Sequence, residues 1–367
     1  MAFEKKDLKK KSENISDWYT DVVLKAELAD YGPVRGTMVI RPYGYALWEV
    51  VQKTLDARFK ENDVENAYFP LFIPYSLFER EKDHVKGFSP ELALVTVGGG
   101  EELAEPLAVR PTSETIMYDM YSKWIKSWRD LPLVINQWNN VVRWEKRTFL
   151  FLRTLEFLWQ EGHGAHQSQE ESLVLVHKAV EWYKEVYEDY FAIPVVVGKK
   201  SESEKFAGAL STFTLEALMP DGKALQGCTS HDLGQNFSKA QNISFQDKEG
   251  KSQFVWQNSW GFSTRTLGAL FLTHGDDSGI VLPPKVAPVQ VIIIPIVKGD
   301  ERDQKIVDYA RVLHEELKKE GVRVKTDERE GISPGRKFND WEVKGVPLRF
   351  EVGEQLVALR VLRLHQR

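Results

Sequence analysis

Arg143 and Glu145 stand two apart in VVRWEKRTFLFLRTLEFLWQEGHGAH, residues 141–166. On a strand that spacing sends both side chains to one face. Such a pair either neutralises itself as a partly buried ion pair or splits two tasks. The guanidinium would then neutralise a phosphate, and the carboxylate would accept from a ligand amine. Arg153, Thr154 and Phe157 follow after a predicted loop. Phe157 suits the core, or a platform for a base stacked beside an arginine. His163 and His166, three apart, offer a metal pair, but no third or fourth ligand stands near them in the sequence.

Three further segments hold chemically useful side chains. In RPTSET (110–115), the small hydroxyls beside an acid cap the helix that starts there, or Thr112 and Glu114 hold an ammonium or imino group. In KALQGCTSHDLGQNF (223–237), glycines and hydroxyls form a turn where backbone approaches a ligand closely; His231 is a loop histidine or part of that site. Cys228 has no neighbouring base, which excludes a thiol nucleophile. In WQNSWGFSTRTLGALFLTHGDDSGIVLPP (256–284), Arg265 opens an apolar helix, a costly place for a cation unless it is paired or faces a ligand. Asp276 and Asp277 sit beside glycine as turn residues do. Neither Gly-x-x-x-x-Gly-Lys nor Gly-x-Gly-x-x-Gly occurs, so nucleotide binding would rest on arginines.

The elements that must position these residues follow from pattern. Helices are predicted over Asp17–Leu28, Tyr45–Lys60, Glu114–Ser127, 173–191 and Thr264–Thr273. Strands are predicted at Thr37–Ile40, at Asn66–Ile73 with Pro70 inside, on both sides of a Gly-rich turn between 92 and 109, and as a turn-linked pair in LPLVINQWNNVVRWE. Short strands continue from Ile193 to Trp260. Non-crossover connections imply a mostly antiparallel sheet with helices on one side. Pro283, Pro284 and Pro288 mark a linker, after which the pattern turns to βαβ: VQVIIIPIV, a helix over DERDQKIVDYARVLHEELKKEG, VRVKTDE, a helix in SPGRKFNDWEVKG and a strand in GVPLRFEVG. The expected domains are 1–284 and 285–367.

The totals set limits. The 367 residues are 42% hydrophobic and 28% charged, a globular composition with room for a large core. A net charge of -5 argues against general polyanion binding, though residues 301–367 carry a small basic excess where RNA could sit. One cysteine excludes a disulfide framework and fits a reducing compartment. The charged N-terminus is no secretory signal and no run of about 18 apolar residues occurs. A cytoplasmic protein without membrane partners is expected.

ADYGPVRGTMVIRPYGYALWE, PLAVRPTSET, NVVRWEKRT, EFLWQEGH, KALQG-TSH-LGQNF and NSWGFSTRTLGA together resemble the prolyl-tRNA synthetases of the archaeal/eukaryotic-like type, in the family's order and spacing from about Ile15 to Gly353. The resemblance implies an α+β fold: a class II synthetase antiparallel sheet flanked by helices, followed by a small, incomplete α/β anticodon-binding domain. It implies a homodimer built on motif 1 (Tyr45–Ile73), with Arg143 and Glu145 in motif 2 and Arg265 in motif 3. By the same match, Arg143 and Arg265 are catalytic. Thr112, Glu114, Arg143, Trp159, Glu161, His163 and His231 bind proline. Arg143, Glu145, Arg153, Thr154, Phe157, Gln226, Thr229, Ser263 and Arg265 bind ATP, with Gln226 beside Mg2+ and no zinc in this chain. Lys337 and Glu342 would read the tRNA(Pro) anticodon. The implied activity is ATP-dependent formation of prolyl-adenylate from L-proline and transfer to tRNA(Pro). The spacing of motifs 2 and 3 leaves no room for an inserted editing domain.

The chain departs from the family at Phe149–Leu150, where Arg-Pro is usual, at Leu155, where a polar or basic residue is frequent, and at Gly164, where a small hydroxyl residue is usual. Phe149 and Leu150 are thus expected as exposed apolar residues on a mobile ATP loop. Past Gly353 the likeness ends, and a domain lacking its last strand and helix would expose a sheet edge. Proline activation would then survive better than tRNA charging. The alternative is a synthetase-derived binding module that keeps the fold without charging tRNA.

Overall fold

The computed structural model describes residues 8–80, 92–297, 303–354 and 363–366. The first residues of the polar lead-in and the start of the helix expected from Asp300 lie outside them. Helix α1 (Ile15–Lys25) is capped by Asn14, whose side chain accepts from the amides of Ser16 and Asp17. The hairpin β1 (Ala29–Tyr31) and β2 (Met38–Ile40) leads to α2 (Pro42–Lys60), which buries Leu47, Trp48, Val51, Leu55 and Phe59. Proline suits the first turn of α2, where the N–H it lacks would have had no intrahelical partner. The strand expected over Asn66–Ile73 is two short pieces in different sheets, β3 (Glu65–Asn66) and β4 (Phe72–Pro74). Pro70 interrupts them. Buried Arg110 holds the gap, donating to the Phe69 and Asn140 carbonyls and to the Asn140 side chain.

Helix α3 (Tyr75–Arg80) precedes the hairpin of β5 (Ala93–Gly98) and β6 (Glu101–Val109), which turns at Gly99 and Gly100. Then come α4 (Glu114–Trp124), β7 (Leu133–Val142) and β8 (Glu156–His166). The segment expected as a strand pair is one strand, β7, because Gln137 and Asn139 find partners on the sheet face instead of making a turn. Helix α5 (Gln169–Glu185), capped by Ser168, runs into a wider turn over Val186–Tyr190. The rest of this part is β9 (Val195–Lys199), β10 (Ser211–Leu218), β11 (Ala224–Gly234), α6 (Asn236–Ala240), β12 (Ser244–Gln246), β13 (Ser252–Phe254), β14 (Trp256–Ser263) and α7 (Arg265–His274).

The main sheet has the order β3-β7-β8-β14-β11-β10-β9, and only the β3–β7 pair is parallel. One face is an aromatic core shared with α2 and α5, where Phe59 lies 5.0 Å from Trp260 and 5.5 Å from Trp182. Truncating Phe59 there would cost roughly 3–5 kcal/mol. Gly162 is opposite Trp260, and a Cβ at 162 would run into the indole. The other face packs a second apolar cluster, in which Ile135, Ala165 and Leu233 meet Tyr118 and Tyr121 of α4, and also carries the cavity described below.

Past the prolines, β15 (Val291–Pro295), α8 (Asp303–Lys319), β16 (Val324–Thr326), α9 (Pro334–Val343) and β17 (Leu348–Val352) form a parallel β16-β15-β17 sheet. The β17 edge, expected to be open, is paired with an antiparallel β18 (Arg363–Gln366). Ser333 caps α9 and Pro334 opens it. The other end of α9 meets the larger part: Lys344 pairs with Glu27 at 2.5 Å, and the Tyr43 hydroxyl donates to the Lys344 carbonyl at 3.1 Å. No helix among the described residues is long and apolar enough to cross a membrane.

Candidate active site

A cavity of about 250 Å3 opens on the face of the main sheet turned away from the aromatic core. Thr112, Glu114, Arg143, Glu145, Arg153, Thr154, Phe157, Trp159, Glu161, His163, Gln226, Thr229, His231, Ser263 and Arg265 all line it. Arg143, Glu145 and Arg265, singled out in three separate stretches of sequence, therefore share one space. Strand register explains the gathering. His163, Ser259, His231 and Thr212 lie side by side across β8, β14, β11 and β10. In the next row Glu161 and Thr229 flank Gly261, whose missing side chain leaves room between them.

The inner end is closed and wired. Glu161, 2% exposed, accepts from the Ser113 amide at 3.0 Å and hydroxyl at 2.5 Å, Asn139 at 2.6 Å and Gln137 at 3.2 Å, and meets His163 Nε2 at 3.3 Å. His163 Nδ1 faces the Tyr118 hydroxyl at 3.2 Å. Burial alone would push Glu161 up and His163 down. The hydrogen bonds and mutual charge outweigh it, so Glu161 is held below the usual carboxylate range and His163 above the usual imidazole range. Glu114, buried beside them, accepts from the Thr112 hydroxyl. On the opposite wall His231 lies between Thr212 (2.9 Å to Nδ1) and Thr229 (3.0 Å to Nε2). Burial, with Lys200 and His163 nearby, pushes its pKa down to about 3, so this imidazole is neutral.

The outer end is open and its charges are held by exchangeable partners. Arg143 donates from Nε to the Pro111 carbonyl at 3.1 Å and lies over Phe157 and Trp159, 5.4 and 5.5 Å from their ring centroids. Glu145 meets Arg153 at 2.6 Å, with side chains 14% and 55% exposed. Arg265 donates to the carbonyls of Leu152 at 2.8 Å and Gln226 at 3.4 Å. Ser263 accepts from the Arg265 amide at 3.4 Å, and Thr154 donates to the Glu156 carbonyl at 2.7 Å.

Several expectations change. Arg143 and Glu145 lie just beyond the end of β7 rather than on a strand, where the chain leaves the sheet for the loop. Ser113 precedes α4 but does not cap it, because its hydroxyl serves Glu161. His163 and His166 project to opposite faces, as an odd spacing on a strand requires. His166 joins Asn258 at 3.1 Å on the far side, where burial pushes its pKa down to about 4. Phe149 and Leu150 are not exposed: Leu150 is 4% accessible and Phe149 stacks on Tyr19. Lys337 and Glu342 lie on α9, outside the cavity. Lys337 is only 4% exposed, and its ammonium donates to the Asp327 carbonyl at 3.0 Å, so it does not present a free contact to RNA. Asp276 is a turn residue, accepting from the amides of Ser278 and Gly279.

Sequence reasoning missed Gln137, Asn139, Tyr118, Thr212, Ser259 and Phe206, whose ring lies 4.8 Å from His231. Gln137 and Asn139, two apart among the four side-chain amides of β7, were the available signal. Among the described residues Glu114, Glu161 and His163 bring possible metal ligands within 4.8 Å of one another. Glu161 already accepts from Ser113, Gln137 and Asn139, which suits an organic cation at Glu114 better than a metal ion.

Comparison with known proteins places this geometry. The family "tRNA synthetase class II core domain (G, H, P, S and T)" matches residues 96–274, and "Anticodon binding domain" matches residues 290–367. The chain is 58% identical over 358 residues to a proline--tRNA ligase of Borreliella burgdorferi (strain ZS7), covering 97% of this chain and 73% of that protein. It is 57% identical over 348 residues to the chloroplastic/mitochondrial proline--tRNA ligase of Arabidopsis thaliana, covering 95% and 64%. A prolyl-tRNA synthetase from Cryptosporidium parvum, solved in complex with halofuginone and AMPPNP, superposes with a TM-score of 0.93 at 50% identity, over 98% of this chain and 74% of that one. The chain belongs to the prolyl-tRNA synthetases.

Proposed function

We propose that the two ends of the cavity divide one reaction, the activation of L-proline by ATP and its transfer to tRNA(Pro). Ligation of proline to tRNA is the activity of the family, and no observation favours a module that has lost it. At the inner end Glu114 and Thr112 receive the secondary ammonium of proline, while Glu161 and His163 hold that wall rigid. Trp159 and the neutral His231 bound the ring. At the outer end Phe157 stacks on adenine, Glu145 accepts from its exocyclic amine, and Thr154, Thr229 and Ser263 line the ribose and phosphates.

Arg143 lies where the two ends meet. Together with Arg265 it neutralises charge as a proline carboxylate oxygen bonds to the α-phosphorus and the bond to the β-phosphate oxygen breaks, releasing pyrophosphate. Arg153 exchanges Glu145 for triphosphate oxygens. A hydroxyl of the terminal adenosine of tRNA then attacks the prolyl carbonyl and AMP leaves. Mg2+ fits the oxygen donor of Gln226 together with phosphate oxygens, and when bound it would spread the charge of the leaving pyrophosphate. The division at 284/285 separates this catalytic part from the anticodon-binding part, where Glu342 on α9 is the remaining candidate for a base contact. Tyr68, Phe72 and Leu94, exposed apolar side chains near Pro70, support a homodimer. The setting is cytoplasmic.

The convergence of Arg143, Glu145 and Arg265 beside Glu114 carries this reading. Proline-dependent exchange of pyrophosphate into ATP tests it, alongside calorimetric titration with a non-hydrolysable prolyl-adenylate mimic. Exchange and tight binding are expected; the absence of both would refute it.

A further inference from the structure

We infer that Tyr19, on a helix none of whose residues lines the cavity, is a positioning residue for the nucleotide. The inference rests on the placement of ATP at the outer end. The loop from β7 to β8 supplies Leu152, Arg153 and Thr154 to that end, and its shape is set from outside. The ring of Tyr19, fully buried in α1, stacks on Phe149 with centroids 5.2 Å apart and planes at 14°. Its hydroxyl donates to the Leu150 carbonyl at 2.8 Å. Phe149 and Arg153 close the loop by exchanging backbone hydrogen bonds of 2.6 and 2.8 Å.

Between them Phe151 has φ 60°, the left-handed region that a bulky residue enters only when its surroundings hold it there. What holds it is burial: the ring is 1% exposed and packs edge-on against Phe271 at 5.4 Å. The base of the loop is tied as well. The Leu155 amide donates to the Gly36 carbonyl at 2.9 Å, and the Leu155 carbonyl accepts from the Arg143 amide at 2.8 Å.

These restraints hold the residues that flank Leu152, Arg153 and Thr154, which line the outer site. The Leu152 carbonyl, two residues from the carbonyl held by Tyr19, orients Arg265, and Arg153 meets Glu145. The apolar residues at 149, 150 and 155 thus anchor the loop from behind, and Leu152, Arg153 and Thr154 are held in place for the nucleotide. A preformed loop loses less conformational freedom when ligand binds than a free one does.

The test compares wild type with Tyr19→Phe, which removes only the hydroxyl, and Phe149→Ala, which removes the stacked ring, by pyrophosphate exchange. Both variants are normalised by titrating the fraction of folded enzyme. The KM for ATP should rise about fivefold in Tyr19→Phe, the size of one lost buried hydrogen bond, and in the same direction in Phe149→Ala. The KM for proline should stay within about twofold, because the inner end is held by other residues. An unchanged ATP KM in both folded variants, or equal rises for ATP and proline, would overturn the inference. Failure of wild type itself to exchange would refute the functional assignment and the inference with it.

Discussion

The two ends of the cavity hold their charges in different ways. At the inner end Glu161 is buried and accepts from backbone, hydroxyl and amide donors together, and His231 is locked neutral between two threonines. At the outer end Glu145 has one ion-pair partner on a half-exposed arginine, and Arg265 leans on backbone carbonyls. An unmade hydrogen bond is expensive in the interior and inexpensive in water. The inner end is therefore built for one small substrate of fixed shape. The outer end holds its charges on partners that a triphosphate can replace.

The largest effect that would test this contrast is on stability. Glu161→Ala should leave Ser113 and Asn139 without that acceptor and His163 without its carboxylate, and cost about 3–5 kcal/mol, read as a lowered midpoint in urea unfolding. A loss below about 1 kcal/mol would show that the inner network is not tightly built. Next in size, Arg265→Ala should lower kcat for pyrophosphate exchange about 100- to 1000-fold with little change in stability. An unaltered kcat would remove Arg265 from the chemistry. Arg153→Ala should raise the KM for ATP about tenfold while changing stability by less than about 1 kcal/mol, as an exposed pair does. A large loss of stability there would erase the contrast between the ends.

A pH slope tests the inner end by a different route. Folded His231 stays neutral down to about pH 3, whereas its free form takes a proton near 6.5. Between those values the unfolded chain binds the extra proton, so stability falls as pH falls. The melting temperature should therefore drop less between pH 6.5 and 4 in His231→Gln than in wild type; parallel slopes would contradict a neutral buried imidazole. His163 works in the opposite sense. Its raised pKa adds stability below its unfolded value, and that stability is lost as pH rises through the folded value.

What was legible in the sequence was local. The apolar stripe of α2 and the helix opened by Ser333 and Pro334 could be read from residue type and spacing, whereas β8, which carries Glu161 and His163, was not read as a strand. The opposite faces of His163 and His166 follow from strand period alone, so their unsuitability as a metal pair was available without coordinates. What was hidden depends on partners far along the chain. Phe149 and Leu150 read as exposed because nothing near them in sequence covers them; their cover is Tyr19, some 130 residues earlier. Ser113 read as a helix cap because local hydrogen bonding is the default for serine before a helix, and only the fold brings Glu161, 48 positions on, within its reach. The burial of Lys337 has the same origin, since the carbonyl it meets belongs to Asp327, outside its own helix.

The central claim is that oppositely charged side chains from a loop and a helix share one nucleotide. A crystal structure of this protein with a non-hydrolysable prolyl-adenylate mimic tests it most directly. The adenine should lie on Phe157 with its amine on Glu145, and both Arg143 and Arg265 should lie within hydrogen-bond distance of the phosphate surrogate. A mimic bound elsewhere, or bound here with either arginine turned away, would contradict the account.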